Sequence, residues 1–125
     1  MIKLAIVGTG GIAHWHAQSF QNIEGVKIVC ACDIDKERVK VFANQYNIEN
    51  TYNSFDELIE HCEFDAISNA TPDPFHKEIA LKAINKNKHV FSEKPLAENY
   101  HDAKEMYVTG KSAFSSFMYV SVFRS

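Results

Sequence analysis

The sequence predicts an α/β fold: a doubly wound parallel sheet of about six strands, with helices on both faces. Three observations lead there. Short apolar runs alternate with helical periodicity from one end of the chain to the other. No internal repeat, low-complexity tract or interior linker interrupts that alternation, so the 125 residues read as one domain. A glycine-rich turn separates the first strand from the first helix, at the start of a βαβ unit.

Each element carries its own signal. "IKLAIVG" reads as the first strand, and residues 11–23 as a helix with Ile12, His16, Phe20 and Ile23 near one face. "VKIVCACD" is the second strand, followed by a helix opening at Asp35 that carries Val39, Phe42, Ala43 and Tyr46. Thr51 and Tyr52 make a very short third strand. Ser54 and Glu57 form a capping-box pattern for a helix running to about Cys62. "DAISNAT" is the fourth strand. Asp73 then serves as N-cap and Pro74 as first helical residue, with Phe75, Ile79 and Ala83 as the buried stripe. "HVFSE" is the fifth strand, Asn99 to about Tyr107 a helix, and "FSSFMYVSV", residues 114–122, a sixth strand at the sheet edge.

Composition narrows the function classes. The 46% hydrophobic and 23% charged content is that of an ordinary globular protein, and a chain of this length buries roughly two thirds of its unfolded surface. A net charge of -3 gives no electrostatic reason to expect nucleic acid. No apolar run is long enough to span a membrane, and "MIKLAIVGTGG" lacks a secretory cleavage pattern, so a cytoplasmic location is expected. Cys30 and Cys32 share one face of a strand and Cys62 ends a helix. No Cys/His cluster completes a zinc pattern, so reduced thiols are expected and no metal.

In "VGTGGIA", Gly8, Gly10 and Ala13 fit G-x-G-x-x-A. Gly8 permits the tight turn, Gly10 lets a pyrophosphate approach the backbone, and Ala13 allows close packing of helix on strand. Asp33 ends the second strand 20 residues after Ala13, where an acid accepts both ribose hydroxyls of an adenosine. A carboxylate there repels a 2′-phosphate and favours NAD over NADP, while nearby Lys36 and Arg38 bear the other way. Thr71 and Pro72 end the fourth strand, beside the first across the switch point, and His76 follows in the first turn of the next helix. His14, Trp15 and His16 crowd the helix after the glycine loop, but helical spacing sends His14 and His16 to different sides, so packing explains them better than a metal. His61, His89 and His101 stand alone in the sequence and receive no role.

The stretch "HVFSEKPLAE", residues 89–98, puts a carboxylate, an ammonium and a proline side by side at a strand end. Neighbours on a strand face opposite sides, and Pro95 biases Lys94 toward an extended conformation. A lysine fixed in this way is either a solvated charge or part of a site.

Gly8-x-Gly10-x-Ile12-Ala13 with His16, then Asp33, then Thr71-Pro72 with His76, then Glu93-Lys94-Pro95 together resemble the Gfo/Idh/MocA family over about residues 2–107. Asp73 departs from the asparagine common there. The resemblance implies a Rossmann domain binding NAD, or less readily NADP, over residues 1–125. It also gives Lys94 the catalytic role: reaching the nicotinamide and the substrate hydroxyl, where a cation stabilises developing alkoxide. The expected cofactor contacts are Gly8, Thr9, Gly10, Gly11, Ile12, Asp33, Ile34, Thr71, Pro72, His76, Glu93 and Lys94. Members of the family carry a second α/β domain with the acid–base residues for a sugar or polyol substrate, and this chain stops near the first crossing into it. The expectation is therefore cofactor binding without turnover, with self-association. The chain is then either the cofactor domain of an oxidoreductase or a non-catalytic dinucleotide-binding module that depends on a partner.

Overall fold

A computed structural model describes residues 1–71, 73–92 and 117–119, with backbone alone for Asp73, Pro74, His76, Ser92 and residues 117–119. In chain order the elements are β1 (Ile2–Val7), α1 (Gly11–Gln21), β2 (Val26–Cys32), α2 (Lys36–Tyr46), β3 (Asn50–Tyr52), α3 (Phe55–His61), β4 (Ala66–Asn69), α4 (Asp73–Asn85), β5 (His89–Ser92) and β6 (Phe117–Tyr119). They form one sheet in the order β3-β2-β1-β4-β5-β6. Every pairing is parallel. The doubly wound α/β expectation is met, and the strand order reverses between β1 and β4.

The apolar runs of the strands follow from burial on both faces, as parallel sheets require. Ala5, Val7, Cys30, Cys32, Ile67 and Val90 pack with Phe55 and Leu58 of α3 and with Ala80, Ala83 and Ile84 of α4. The alternate residues Ile6 and Ala31 pack with Ala13 and Ala17 of α1 and with Val39, Phe42, Ala43 and Tyr46 of α2. Among the described residues, two helices thus cover each face. Among the described residues no helix is long and apolar enough to cross a membrane.

Local chemistry sets the boundaries. The Asp35 carboxylate accepts the Arg38 N–H at 3.1 Å and starts α2. Asn47, at φ 56°, ends it in the left-handed region that asparagine tolerates, and the Ile48 N–H returns to the Ala43 carbonyl at 2.9 Å. Ser54 caps α3 by accepting the Glu57 N–H at 3.1 Å. The reciprocal half of the capping box is displaced: Glu57 Oε1 accepts from Asn53, at 3.3 Å, instead of from Ser54.

Two buried stripes differ from expectation. On α1 the sheet-facing residues are Ala13, His16 and Ala17, with Phe20 edge-on to Phe91, while Ile12 and Ile23 are exposed. Small side chains let the helix sit close to the strands, and that rotates the larger ones outward. On α4 the stripe is Ala80, Ala83 and Ile84 with Ile79 partly buried, and Phe75 is exposed because its turn precedes the part of the helix that lies over the sheet. Asp73 lies within the helix instead of before it. The expected helix at residues 99–107 is outside the described residues, and of the sixth strand only 117–119 are described, paired with β5 at the edge.

Leu58 is fully buried and anchors α3 on the sheet. Leu58→Ala is expected to lower the unfolding free energy by about 2–5 kcal/mol. Urea denaturation measures this, and a loss below about 1 kcal/mol would mean that α3 is not seated as described.

Candidate functional site

Because all strands run parallel, the loops after β1, β2 and β4 gather at one edge, and the β1–β4 reversal opens a crevice there. The crevice is a cleft of about 410 Å³, lined by Gly8, Thr9, Gly10, Gly11 and Ile12 after β1, by Asp33, Ile34 and Arg38 after β2, and by Ala70, Thr71, Phe75 and Ile79 on the β4–α4 side. Ser54 and Phe55 close its flank.

Gly8 adopts φ +89°, and a Cβ on it would stand 2.9 Å from the Ala70 carbonyl oxygen. Only glycine satisfies both demands. Its N–H is held by the Cys32 carbonyl at 2.9 Å, which fastens the loop to the end of β2. Gly10 precedes α1, and a Cβ built there meets nothing within 4 Å. No side chain caps α1 and no acid occupies its first turn, so its N-terminal dipole faces the cleft uncompensated.

Asp33 is the electrostatic centre. Its side chain is 3% exposed. Oδ2 accepts the Thr9 N–H at 2.8 Å, the Thr9 hydroxyl at 2.7 Å and Arg38 Nε at 3.1 Å. Oδ1 accepts the Asp35 N–H and Arg38 Nη2, both at 3.0 Å. Burial pushes this carboxyl up, but the guanidinium and the other donors outweigh it and hold the group down at about 2. Cap duty on α2 falls to Asp35, which leaves Asp33 turned toward the loop.

The structure gathers Gly8, Thr9, Gly10, Gly11, Ile12, Asp33, Ile34 and Thr71 around one cleft. Thr9 is buried and gives both its N–H and its hydroxyl to Asp33, so it positions the carboxylate. Thr71 donates its hydroxyl to Asn69 at 2.6 Å. His76 belongs to α4 with its side chain undescribed, and Pro72, Glu93 and Lys94 lie outside the described residues. Sequence reading missed Phe75 and Ile79 as lining residues and Asn69 as the holder of Thr71. A buried amide at the end of an apolar strand was the available signal for the last. His14 hydrogen-bonds the Tyr46 hydroxyl at 2.7 Å, and His16 meets Ser68, so the two go to different partners. His61 does have a partner: it stacks on Tyr52, with ring centroids 6.4 Å apart. His89 is also engaged, its backbone N–H bonding the Asp65 carbonyl at 3.1 Å. Among the described residues no three His, Cys, Asp or Glu side chains converge as a metal site would require.

A family model described as an oxidoreductase family with an NAD-binding Rossmann fold matches residues 2–119. The chain is 35% identical to glucose-6-phosphate 3-dehydrogenase of Bacillus subtilis over 111 residues, covering 89% of this chain and 31% of that enzyme. It is 33% identical to the scyllo-inositol 2-dehydrogenase (NADP(+)) IolU of the same organism, over 90% of this chain and 34% of the relative. An oxidoreductase from Agrobacterium radiobacter, solved in complex with NAD+, L-tartaric acid and magnesium, superposes with a TM-score of 0.94 at 28% identity. That match covers 98% of this chain and 36% of the other. The chain spans about a third of the length of the curated relatives it matches.

The low-lying Asp33 carboxyl makes stability depend on pH. A folded-state value of about 2 against an ordinary 3.8 contributes stability that is complete above about pH 4 and lost as pH falls through 2. The contribution is on the order of 2–3 kcal/mol. The stability gap between the native chain and Asp33→Asn should therefore be constant from neutral pH to about 4 and shrink below it. Denaturant titrations across that range test this; a gap unchanged down to pH 2 would contradict it.

Proposed function

We propose a function from one premise: the chain belongs to the Gfo/Idh/MocA oxidoreductase family. It binds a nicotinamide dinucleotide across the carboxyl ends of β1, β2 and β4. The observation that carries this reading is the buried Asp33 carboxylate, hydrogen-bonded to the residue between Gly8 and Gly10. The local geometry suits the group. The space beside Gly10 is clear of protein atoms, so backbone and α1 N-terminus are open to a pyrophosphate. Asp33 takes the adenosine ribose hydroxyls. Ile34 and Phe75, both exposed at the cleft, give the adenine apolar contact.

When bound, the dinucleotide supplies the hydride acceptor or donor for a sugar or polyol C–OH. Thr71, Pro72, His76 and Glu93 complete its surroundings, and Lys94 polarises the reacting oxygen. An ammonium with an ordinary pKa near 10.4 is a poor base at neutral pH. The proton acceptor and the substrate contacts therefore come from a second α/β domain, and residues 1–125 act as the cofactor half of a cytoplasmic enzyme. NAD is preferred to NADP, because a 2′-phosphate would meet the Asp33 charge.

Saturable NADH binding by fluorescence titration is the direct test, with Asp33→Ala weakening it by about 1–3 kcal/mol, roughly 5- to 150-fold. In the same preparation, NAD with a panel of sugars and polyols should give no rise in NADH absorbance. A substitution without effect on binding would remove Asp33 from the site, and a Lys94-dependent rise would show that the chain holds a complete catalytic site.

The chain also self-associates. In support, β6 lies at the sheet edge, and strand edges offer unpaired backbone groups to other chains. Sedimentation should show mass increasing with concentration; a strictly monomeric profile would count against it.

A further inference from the structure

Cys30 and Cys62, 32 residues apart, bring their Sγ atoms to 2.6 Å. Cys30 is fully buried on β2, between Ala5 of β1 and Asn50 of β3. Cys62 sits at the C-terminal end of α3, its N–H on the Leu58 carbonyl, and its side chain is part-exposed. Neither belongs to the cleft. One sulfur can therefore be reached from solvent, and the other is shielded directly behind it.

We infer that Cys30 and Cys62 form a dithiol site that closes to a reversible disulfide with hydrogen peroxide. The Cys62 thiolate attacks one peroxide oxygen. An S–O bond forms, the O–O bond breaks, and the departing hydroxide takes a proton to become water. The Cys30 sulfur then attacks the Cys62 sulfur. The S–S bond forms, the S–O bond breaks, and the Cys30 proton leaves with the hydroxide as a second water. Two thiols lose two electrons and one peroxide gains them.

Exposure decides the order, because the oxidant meets Cys62 first. Burial pushes the Cys30 thiol up, and the hydrogen bond to Cys62 and its negative charge add to this. Oxidation of Cys62 abolishes that charge, which favours the second step. Cys32, on the same face of β2, is fully buried and is not the partner the geometry selects. The bond would tie the end of α3 to β2, fixing the helix whose first residue, Phe55, lines the cleft.

Hydrogen peroxide treatment of the 125-residue chain, followed by thiol counting in denaturant, tests the site. Free thiols should fall from three to one, with the loss of two hydrogen masses and recovery by dithiothreitol. Fragmentation between Cys30 and Cys32 should place the link on Cys30 and Cys62. Cys32→Ser should still lose two thiols, and Cys62→Ser none. Three surviving thiols, a Cys30–Cys32 link, a link between chains, or a mass gain from over-oxidised sulfur would each overturn the inference. The mapping on the unsubstituted chain decides the matter even if a variant folds poorly.

Discussion

A carboxylate buried at the end of β2 joins three segments at one point. Asp33 draws in the glycine loop through Thr9, the turn into α2 through Asp35, and the first turn of α2 through Arg38. Taking an unpaired carboxylate out of water costs several kcal/mol, and removing its partners would leave that cost uncompensated. The loop conformation and the charge are therefore mutually dependent: the donors hold Asp33 ionised, and the ionised group holds the donors. A well-packed apolar residue would often serve stability as well as a buried ion pair does. A charge retained at a strand end, facing a cleft, is what the proposed recognition of a ribose would require.

Close packing determines where that charge points. Gly8 passes so near Ala70 that no side chain fits between them, and the Ala70 N–H bonds the Val7 carbonyl at 2.8 Å. β1 and β4 are thereby pinned at the point where strand order reverses. Ala13 and Ala17, both fully buried, allow α1 to lie close to the sheet with its N-terminus over the end of β1. Larger residues at these positions would lift the helix and move its dipole away from the crevice.

The alternation of strands and helices, the position of Asp33 and the function of Gly8 were legible because each rests on local chemistry. Period, strand-end charge and positive φ are all written within a few residues. The failures share another cause. Placing Ile12 and Ile23 in the α1 stripe assumed that larger apolar residues go inward, whereas close helix–sheet contact selects small ones such as Ala13, whose packing on the strand the glycine motif already implied. Placing Phe75 inside ignored where α4 begins relative to the sheet. The stacking of His61 on Tyr52 joins two consecutive elements and the meeting of Cys30 with Cys62 joins distant ones, and no period or spacing announces either contact. Legibility ends where tertiary geometry replaces local rule.

The same distinction bears on how the cleft would accept a ligand. Asp33 already receives five hydrogen bonds, three from groups that build the loop and its turn and two from Arg38, whose side chain is half exposed. A carboxylate has about four lone-pair positions, so ribose hydroxyls cannot simply be added. Of the side-chain donors, the Thr9 hydroxyl is buried, whereas the half-exposed Arg38 guanidinium can leave into solvent without undoing the backbone. The proposed binding through Asp33 would thus be an exchange of one donor pair for another. Its net strength is the difference between hydroxyl and guanidinium contacts, less than a count of new hydrogen bonds would give. The displaced cation would stay tethered five residues away, at the cleft mouth, where it would lower the repulsion that Asp33 exerts on a 2′-phosphate. In the proposed complex, carboxylate and guanidinium together, not Asp33 alone, would therefore set how sharply the site distinguishes a ribose from its phosphate ester.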